Sequence, residues 1–391
     1  MATNAVQETA EARKKLIIAA FSEELDPLNE RSSARVLADM IKSGEPRPIL
    51  TSGDIDGLLS AAMLSSVSAR VGSTDGRWEV VAITLSTPEG QAILTHPAVA
   101  AERPPNIFGV DVFSTEFDNV SNHIVLFGDR RLSVDQVREA FEDWDAAVRA
   151  AAASPDRLIA DPNLWAEIYA SRNDGAYPHG APYKYPLGTA QILLALLEAG
   201  EVAPRFFDGH YLPWLLANCD GGVASYTSKY FPNVSLWWSL MAGAVGPGSL
   251  TQMIYERVRT MLPHDFSNAV HQLSREQSAQ SRAHHLDDTW NITPKTAVAM
   301  ATVFDLIEQL TGWGDPVRDG TAGIVDWVLI PETDGIKVPL ARGKMVAEAT
   351  ASGMTLADVA NSIRQAVSGA TNANFYMGGQ SGDRFNWFGG W

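Results

Sequence analysis

The texture of the chain from Pro48 onward constrains its fold more than any other feature. Short apolar runs from Pro48 to Thr51, Trp78 to Leu85, Asn106 to Val112 and His123 to Gly128 each end in small or acidic residues. Runs of that length read as strands covered on both faces. Between the first two lies Leu58 to Val71, rich in Ala, Leu, Met and Val at helical spacing. Strand, turn, helix, strand is the pattern of a parallel sheet with crossover helices, so the expected fold class is α/β. The acidic, Ala-rich stretch 134 to 152 and the strongly apolar Thr189 to Leu197 supply further covering helices.

On either side the texture differs. Residues 1–46 form a helical extension: Leu16, Ile17, Ala20 and Phe21 share one face, and Val36, Leu37, Met40 and Ile41 repeat the pattern after the Asp26-Pro27 break. The sheet domain is expected over 47–230. A helical connector follows over 231–315, broken at Gly246-Pro247-Gly248 and at Asn291 to Pro294. A small C-terminal α/β domain over 316–391 contains strand-like runs at Gly323 to Ile330 and Ile336 to Leu340 and a helix from Leu356 to Val367. It ends in a Gly-rich tail carrying Phe385, Trp387, Phe388 and Trp391.

Composition narrows the function. With 30 Lys and Arg against 46 Asp and Glu, the formal net charge is -16. A chain so acidic is a poor fit for duplex DNA, where affinity comes largely from counterion release. One cysteine, Cys219, excludes an intrachain disulfide framework and a thiolate zinc site, and fits a reducing compartment. No apolar stretch approaches the ~20 residues of a membrane-spanning helix. A cytoplasmic protein without a membrane partner is expected.

In an open parallel sheet the ligand crevice lies beyond the carboxyl ends of the strands, and acids recur there. The first run leads into Thr51-Ser52-Gly53-Asp54-Ile55-Asp56-Gly57, the third ends at Asp111, and the fourth at Gly128-Asp129-Arg130-Arg131. Asp220 follows the apolar segment Leu212 to Ala217. Any one of these is an ordinary turn or helix-capping residue, as expected of the surface acids Asp118, Asp135 and Asp143. Their recurrence is what points to a site. Asp54, Asp56, Asp111, Asp129 and Asp220 together would repel one another without compensating charge. Divalent cations supply it, and an all-oxygen ligand set suits Mg²⁺ or Mn²⁺. Such sites serve phosphoryl hydrolysis.

The order of these motifs resembles the DHH phosphoesterase superfamily of metal-dependent exonucleases, phosphodiesterases and pyrophosphatases. Thr51 to Gly57 is similar to the family's first motif, Asp111 to its second, Asp129-Arg130-Arg131 to its Asp-His-His motif, and Asp220 to its fourth, with Gly188-Thr189-Ala190 similar to the start of the helix that precedes it. Phe375 to Gly382 resembles the Gly-rich substrate loop of the family's small closing domain, so Gly378, Gly379 and Ser381 are implied to meet substrate. The resemblance implies the five aspartates as catalytic metal ligands for Mn²⁺ or Mg²⁺. It departs where the family's two ligating histidines stand: here are Ser52 and Arg130. A guanidinium offers only donors and cannot ligate.

Two outcomes are open. The oxygen ligands retain a cation while Arg130 and Arg131 neutralise phosphate, giving a metal-dependent phosphoesterase for small nucleotides or short single-stranded oligonucleotides. Alternatively Arg130 pairs with the carboxylates, leaving an inactive nucleotide-binding or assembly module.

Other features are weaker. His284-His285 are adjacent, so on a helix they diverge and read as surface residues. Tyr177 to Pro186 is aromatic and turn-rich, equally a stacking lip or a packed loop. Trp237-Trp238 with Leu236 and Leu240 belong to the core or to a contact in a homo-oligomer. There is no Walker-type loop and no dinucleotide fingerprint.

Overall fold

The computed structural model describes residues 2–72, 76–87, 90–122, 126–128, 146, 149–165, 169–171, 185–205, 219, 231–258, 304–305, 307–308, 311–331, 338–339, 377–381 and 384–387. In chain order the first elements are α1 (Ala2–Glu24), α2 (Ser33–Lys42), β1 (Pro48–Ser52), α3 (Ile55–Val71), β2 (Glu79–Thr87) and β3 (Gly90–Thr95). Then come β4 (Phe108–Val110), β5 (Val112–Phe113), β6 (Asn119–Val120), β7 (Leu126–Gly128) and β8 (Ile159–Ala160). The short helix α4 (Pro162–Trp165), β9 (Tyr169–Ser171), α5 (Thr189–Ala199), α6 (Phe231–Val245) and α7 (Leu250–Val258) follow. The last strands are β10 (Val328–Pro331), β11 (Val338–Pro339), β12 (Met377–Ser381) and β13 (Arg384–Trp387).

The protein is mixed α/β with a mostly parallel central sheet of order β10-β3-β2-β1-β4-β6-β8. The strands from β2 to β8 run parallel to their neighbours, whereas β3 and β10 add antiparallel at one edge. Every residue of β1 is buried, the polar Thr51 and Ser52 included, as in a strand covered on both faces. Helix α3 crosses from β1 to β2. Leu58, Leu59, Ala61, Ala62, Met63, Leu64 and Val67 are all buried because the sheet covers one side and α2 and α5 the other. Its small residues allow that close approach.

The strand next to β4 is Asn119–Val120, which the apolar runs of the sequence do not mark. Residues Leu126–Gly128 pair instead with β9 in a separate two-stranded sheet. The polar Asn119 hid this strand from an apolar-run reading. It is tolerated because its amide donates to the carbonyls of Ser114 and Phe117, each at 2.8 Å. Asp118 is likewise no plain surface acid: its carboxylate pairs with Arg47 at 2.8 Å and accepts from Leu158 N at 2.9 Å.

Both N-terminal helices join the main core. The buried face of α1 is Ile17 and Phe21, one turn apart, while Leu16 is 60% exposed. Phe21 packs edge-on against Trp165 and Trp237 at 5.0 and 4.9 Å. Trp237 and Trp238 are core residues, 0% and 2% exposed. The break between α6 and α7 falls at the expected Gly246 to Gly248. A second, antiparallel sheet, β11-β13-β12-β5, joins the C-terminal strands to the segment following β4. No helix among the described residues is long and apolar enough to cross a membrane.

Candidate functional site

The site forms where β1 and β4 end side by side. Ser52 closes β1, and the turn after it is pinned when Gly53 N donates to Thr84 O of β2 at 2.8 Å. Asp54 is the N-cap of α3, its Oδ1 accepting from Gly57 N at 3.0 Å. Gly57 must lack a side chain, since a Cβ there would lie 2.2 Å from Ser52 Oγ and 2.6 Å from Ser52 O. Asp111 sits between β4 and β5 at φ 57°, a left-handed conformation that Asp tolerates better than most residues. Its own N–H donates to Val120 O at 3.0 Å, fixing the turn.

These loops converge on one hydroxyl. Ser52 Oγ lies 2.8 Å from Asp54 Oδ1 and 2.5 Å from Asp111 Oδ2. Thr189 Oγ1, at the start of α5, donates to the other Asp111 oxygen at 2.7 Å. Asp111 and Thr189 are buried and Asp54 is exposed, so the group has a closed floor and an open mouth.

Asp56 faces elsewhere. It is 1% exposed, and its two oxygens accept from Thr189 N at 2.6 Å and Ala190 N at 2.8 Å. Gly188, the N-cap of α5, has no side chain to cap with, so Asp56 caps that helix from α3. A carboxylate there satisfies orphan amides and complements the positive helix end. A Cβ on Gly188 would stand 2.5 Å from Asp56 Oδ2, so the glycine is the space the carboxylate occupies.

Of the residues the sequence singled out, Asp54, Asp56 and Asp111 come together at adjacent strand ends. Asp129, Asp220, Arg130 and Arg131 lie outside the described residues, as do His284-His285. Of the tract Tyr177 to Pro186, Tyr185 is buried, with its hydroxyl donating to Gly188 O at 3.1 Å, which favours a packed loop over a stacking lip at that residue. Gly378 and Gly379 lie in β12, where Gly378 is the register partner of Val112, the residue after Asp111. Ser381 ends β12 opposite Arg384. The Gly-rich strand therefore runs beside the Asp111 turn.

Ser52 and Thr189, which in the sequence read only as a replacement for a histidine and as the start of a helix, supply the hydroxyls that meet Asp54 and Asp111. The available signal was the small, polar Gly188-Thr189 pair opening an apolar helix. Among the described residues, no group of three or more His, Cys, Asp or Glu is arranged to hold a metal ion. Asp54 and Asp111 are the two described carboxylates that share a mouth, while Asp56 is committed to α5. Comparison with family models, with curated proteins and with solved structures gives no match.

Proposed function

We propose that the chain is a divalent-cation-dependent phosphoesterase of DHH type, acting on phosphodiester or phosphoanhydride bonds in small nucleotides or short oligonucleotides. The observation that carries this reading is the convergence of Asp54 and Asp111 on Ser52 Oγ at 2.8 and 2.5 Å. Asp54 at the open mouth and the buried Asp111 beneath it, joined through one hydroxyl, favour positive charge beside them. The donor set fits a hard cation, for the groups at the mouth are oxygens. Asp54 and Asp111 would hold Mn²⁺ or Mg²⁺, with Asp129 and Asp220 as the remaining ligands of the proposal. A bound cation supplies polarisation of a phosphoryl oxygen and a more acidic water.

The chain's own residues do the rest. Thr189 holds Asp111 in one orientation through its hydroxyl, and Gly57 keeps Asp54 against the α3 N-terminus. Arg130 and Arg131 would neutralise substrate phosphate, and the Gly378-Gly379 backbone offers close approach without side-chain obstruction. The acidic chain favours short substrates over duplexes.

A second reading, an inactive nucleotide-binding or assembly module, draws on Asp56, whose oxygens both serve α5. One experiment separates the two. Mn²⁺ is titrated while thermal stability is followed, and short oligonucleotides and cyclic dinucleotides are assayed for hydrolysis. Under the phosphoesterase reading Mn²⁺ raises the melting temperature and supports turnover, and Asp54→Asn and Asp111→Ala each lose both. Wild-type protein indifferent to Mn²⁺ and Mg²⁺ and without turnover overturns that reading and leaves the second.

A further inference from the structure

At the opposite end of the strands, where β1, β2 and β4 begin, lies a cavity of about 620 Å³ lined by Arg47, Arg77 and Arg318, with Glu79 and Asn106 beside them. That volume falls in the range of small-molecule sites, ~300 to 1,000 Å³. The arginines are held on fixed backbone. Arg47 precedes β1 and its carbonyl accepts from Glu79 N at 3.1 Å, while Arg318 N donates to Val80 O at 3.0 Å.

Their charges are unevenly met. Arg47 Nη1 pairs with Asp118 at 2.8 Å, yet its buried Nε has no hydrogen-bond partner among the described residues. Arg318 Nε reaches Glu79 at a longer 3.3 Å. Arg77 Nε donates to Ser65 Oγ at 2.9 Å and its Nη2 to the carbonyl of Asp315, both neutral acceptors. It has no carboxylate partner among the described residues. In a chain with a net charge of -16, acids are abundant, so a half-buried arginine beside a cavity without one marks a place where a ligand brings the negative charge. Guanidinium groups pair with phosphate oxygens through two parallel N–H donors.

We propose that this cavity is a second ligand site, which binds a small phosphate-bearing anion through Arg77 and Arg318. The site is separate from the carboxylates. β1 runs between them, and its five residues span ~13 Å at the strand rise. The inference stands whether or not the carboxylate site hydrolyses anything.

The test is isothermal titration of the full chain with inorganic phosphate and, separately, with a nucleoside 5′-monophosphate, at constant ionic strength in chloride. The expected result is saturable single-site binding of at least one of them. Arg77→Gln and Arg318→Gln each weaken it about tenfold or more. Glu79→Gln, which removes the competing carboxylate, tightens it, and Asp54→Asn leaves it unchanged. If Arg77→Gln does not fold, for want of its bonds to Ser65 and Asp315, Arg318→Gln and Glu79→Gln still decide the matter by their opposite signs. Absence of saturable binding by both anions overturns the proposal. So does binding that ignores Arg318→Gln and Glu79→Gln, or binding abolished by Asp54→Asn, which would place the anion at the carboxylate site.

Discussion

Replacing Asp56 with Asn tests whether this acid is a helix clamp or a cation ligand. The side chain is 1% exposed and gives one oxygen to each of two backbone amides, at 2.6 and 2.8 Å. Asn keeps one acceptor and turns an NH₂ group against the second N–H. The loss is one hydrogen bond to a charged acceptor, about 1.5 to 3 kcal/mol, and the attraction of a carboxylate to the helix N-terminus, about 1 kcal/mol. Relief of the cost of burying a charge offsets part of this, for a net loss of about 3 kcal/mol. If all 391 residues melt as one unit, an unfolding entropy of ~2.1 cal/mol/K per residue makes that loss a fall of about 4 °C in melting temperature. The assay is thermal denaturation in excess EDTA, with Asp54→Asn as the control. Asp54 is exposed, and Asn caps a helix about as well as Asp, so the control is at least as stable as wild type. A side chain whose main task is holding a cation gives the reverse sign, because without the cation its removal relieves repulsion from neighbouring acids. An Asp56→Asn variant as stable as wild type in EDTA, or more so, refutes the clamp.

Three further outcomes follow from neighbouring contacts. Gly188→Ala puts a methyl group 2.5 Å from Asp56 Oδ2, and is expected to cost about 1 to 3 kcal/mol by urea denaturation. Thr189→Val removes the 2.7 Å bond to Asp111 Oδ1 at nearly constant volume, costing about 1.5 to 3 kcal/mol, while Thr189→Ser keeps most of the stability. Glu24 accepts from Ser33 N and Oγ at the start of α2, and burial pushes its carboxyl above the ordinary glutamate value despite those hydrogen bonds. The folded state therefore binds that proton more tightly than the unfolded chain, so its contribution is most favourable below the unfolded value and declines as pH rises to the folded one. Urea midpoints measured across that interval should decline less steeply with pH in Glu24→Gln than in wild type.

The central architecture was legible because its residues carry their own signal. Pro48 to Thr51 reads as a strand buried on both faces, and Leu58 to Val67 is almost all small and apolar and nearly all buried. The edge of the sheet was not legible in the same way. Asn119 reads as a turn residue, and its place in a buried strand depends on the carbonyls of Ser114 and Phe117 reaching its amide, which no local pattern announces. Similarly, of the residues that the sequence pattern puts on one face of α1, Ile17 and Phe21 are buried but Leu16 is exposed, because adjacent apolar residues on a helix diverge by about a third of a turn and only the packing partners, Trp165 and Trp237, settle which is covered.

At the site, residue type gave the place but not the division of labour. Asp54, Asp56 and Asp111 look alike in sequence, yet burial and amide donors separate them: one caps its own helix at the surface, one caps a helix of another element in the interior, and one bridges two hydroxyls. Ser52 makes the distinction consequential. Its hydroxyl has a single proton but stands within hydrogen-bond distance of two carboxylate oxygens, so at any moment one of those contacts is oxygen against oxygen. A positive charge or another donor beside the Asp54–Asp111 pair relieves that contact. Asp56 creates no such demand, because two amides already meet its oxygens. Any cation or cationic side chain that serves this region is therefore drawn to the Asp54–Asp111 mouth and not to Asp56, whichever of the two functional readings holds.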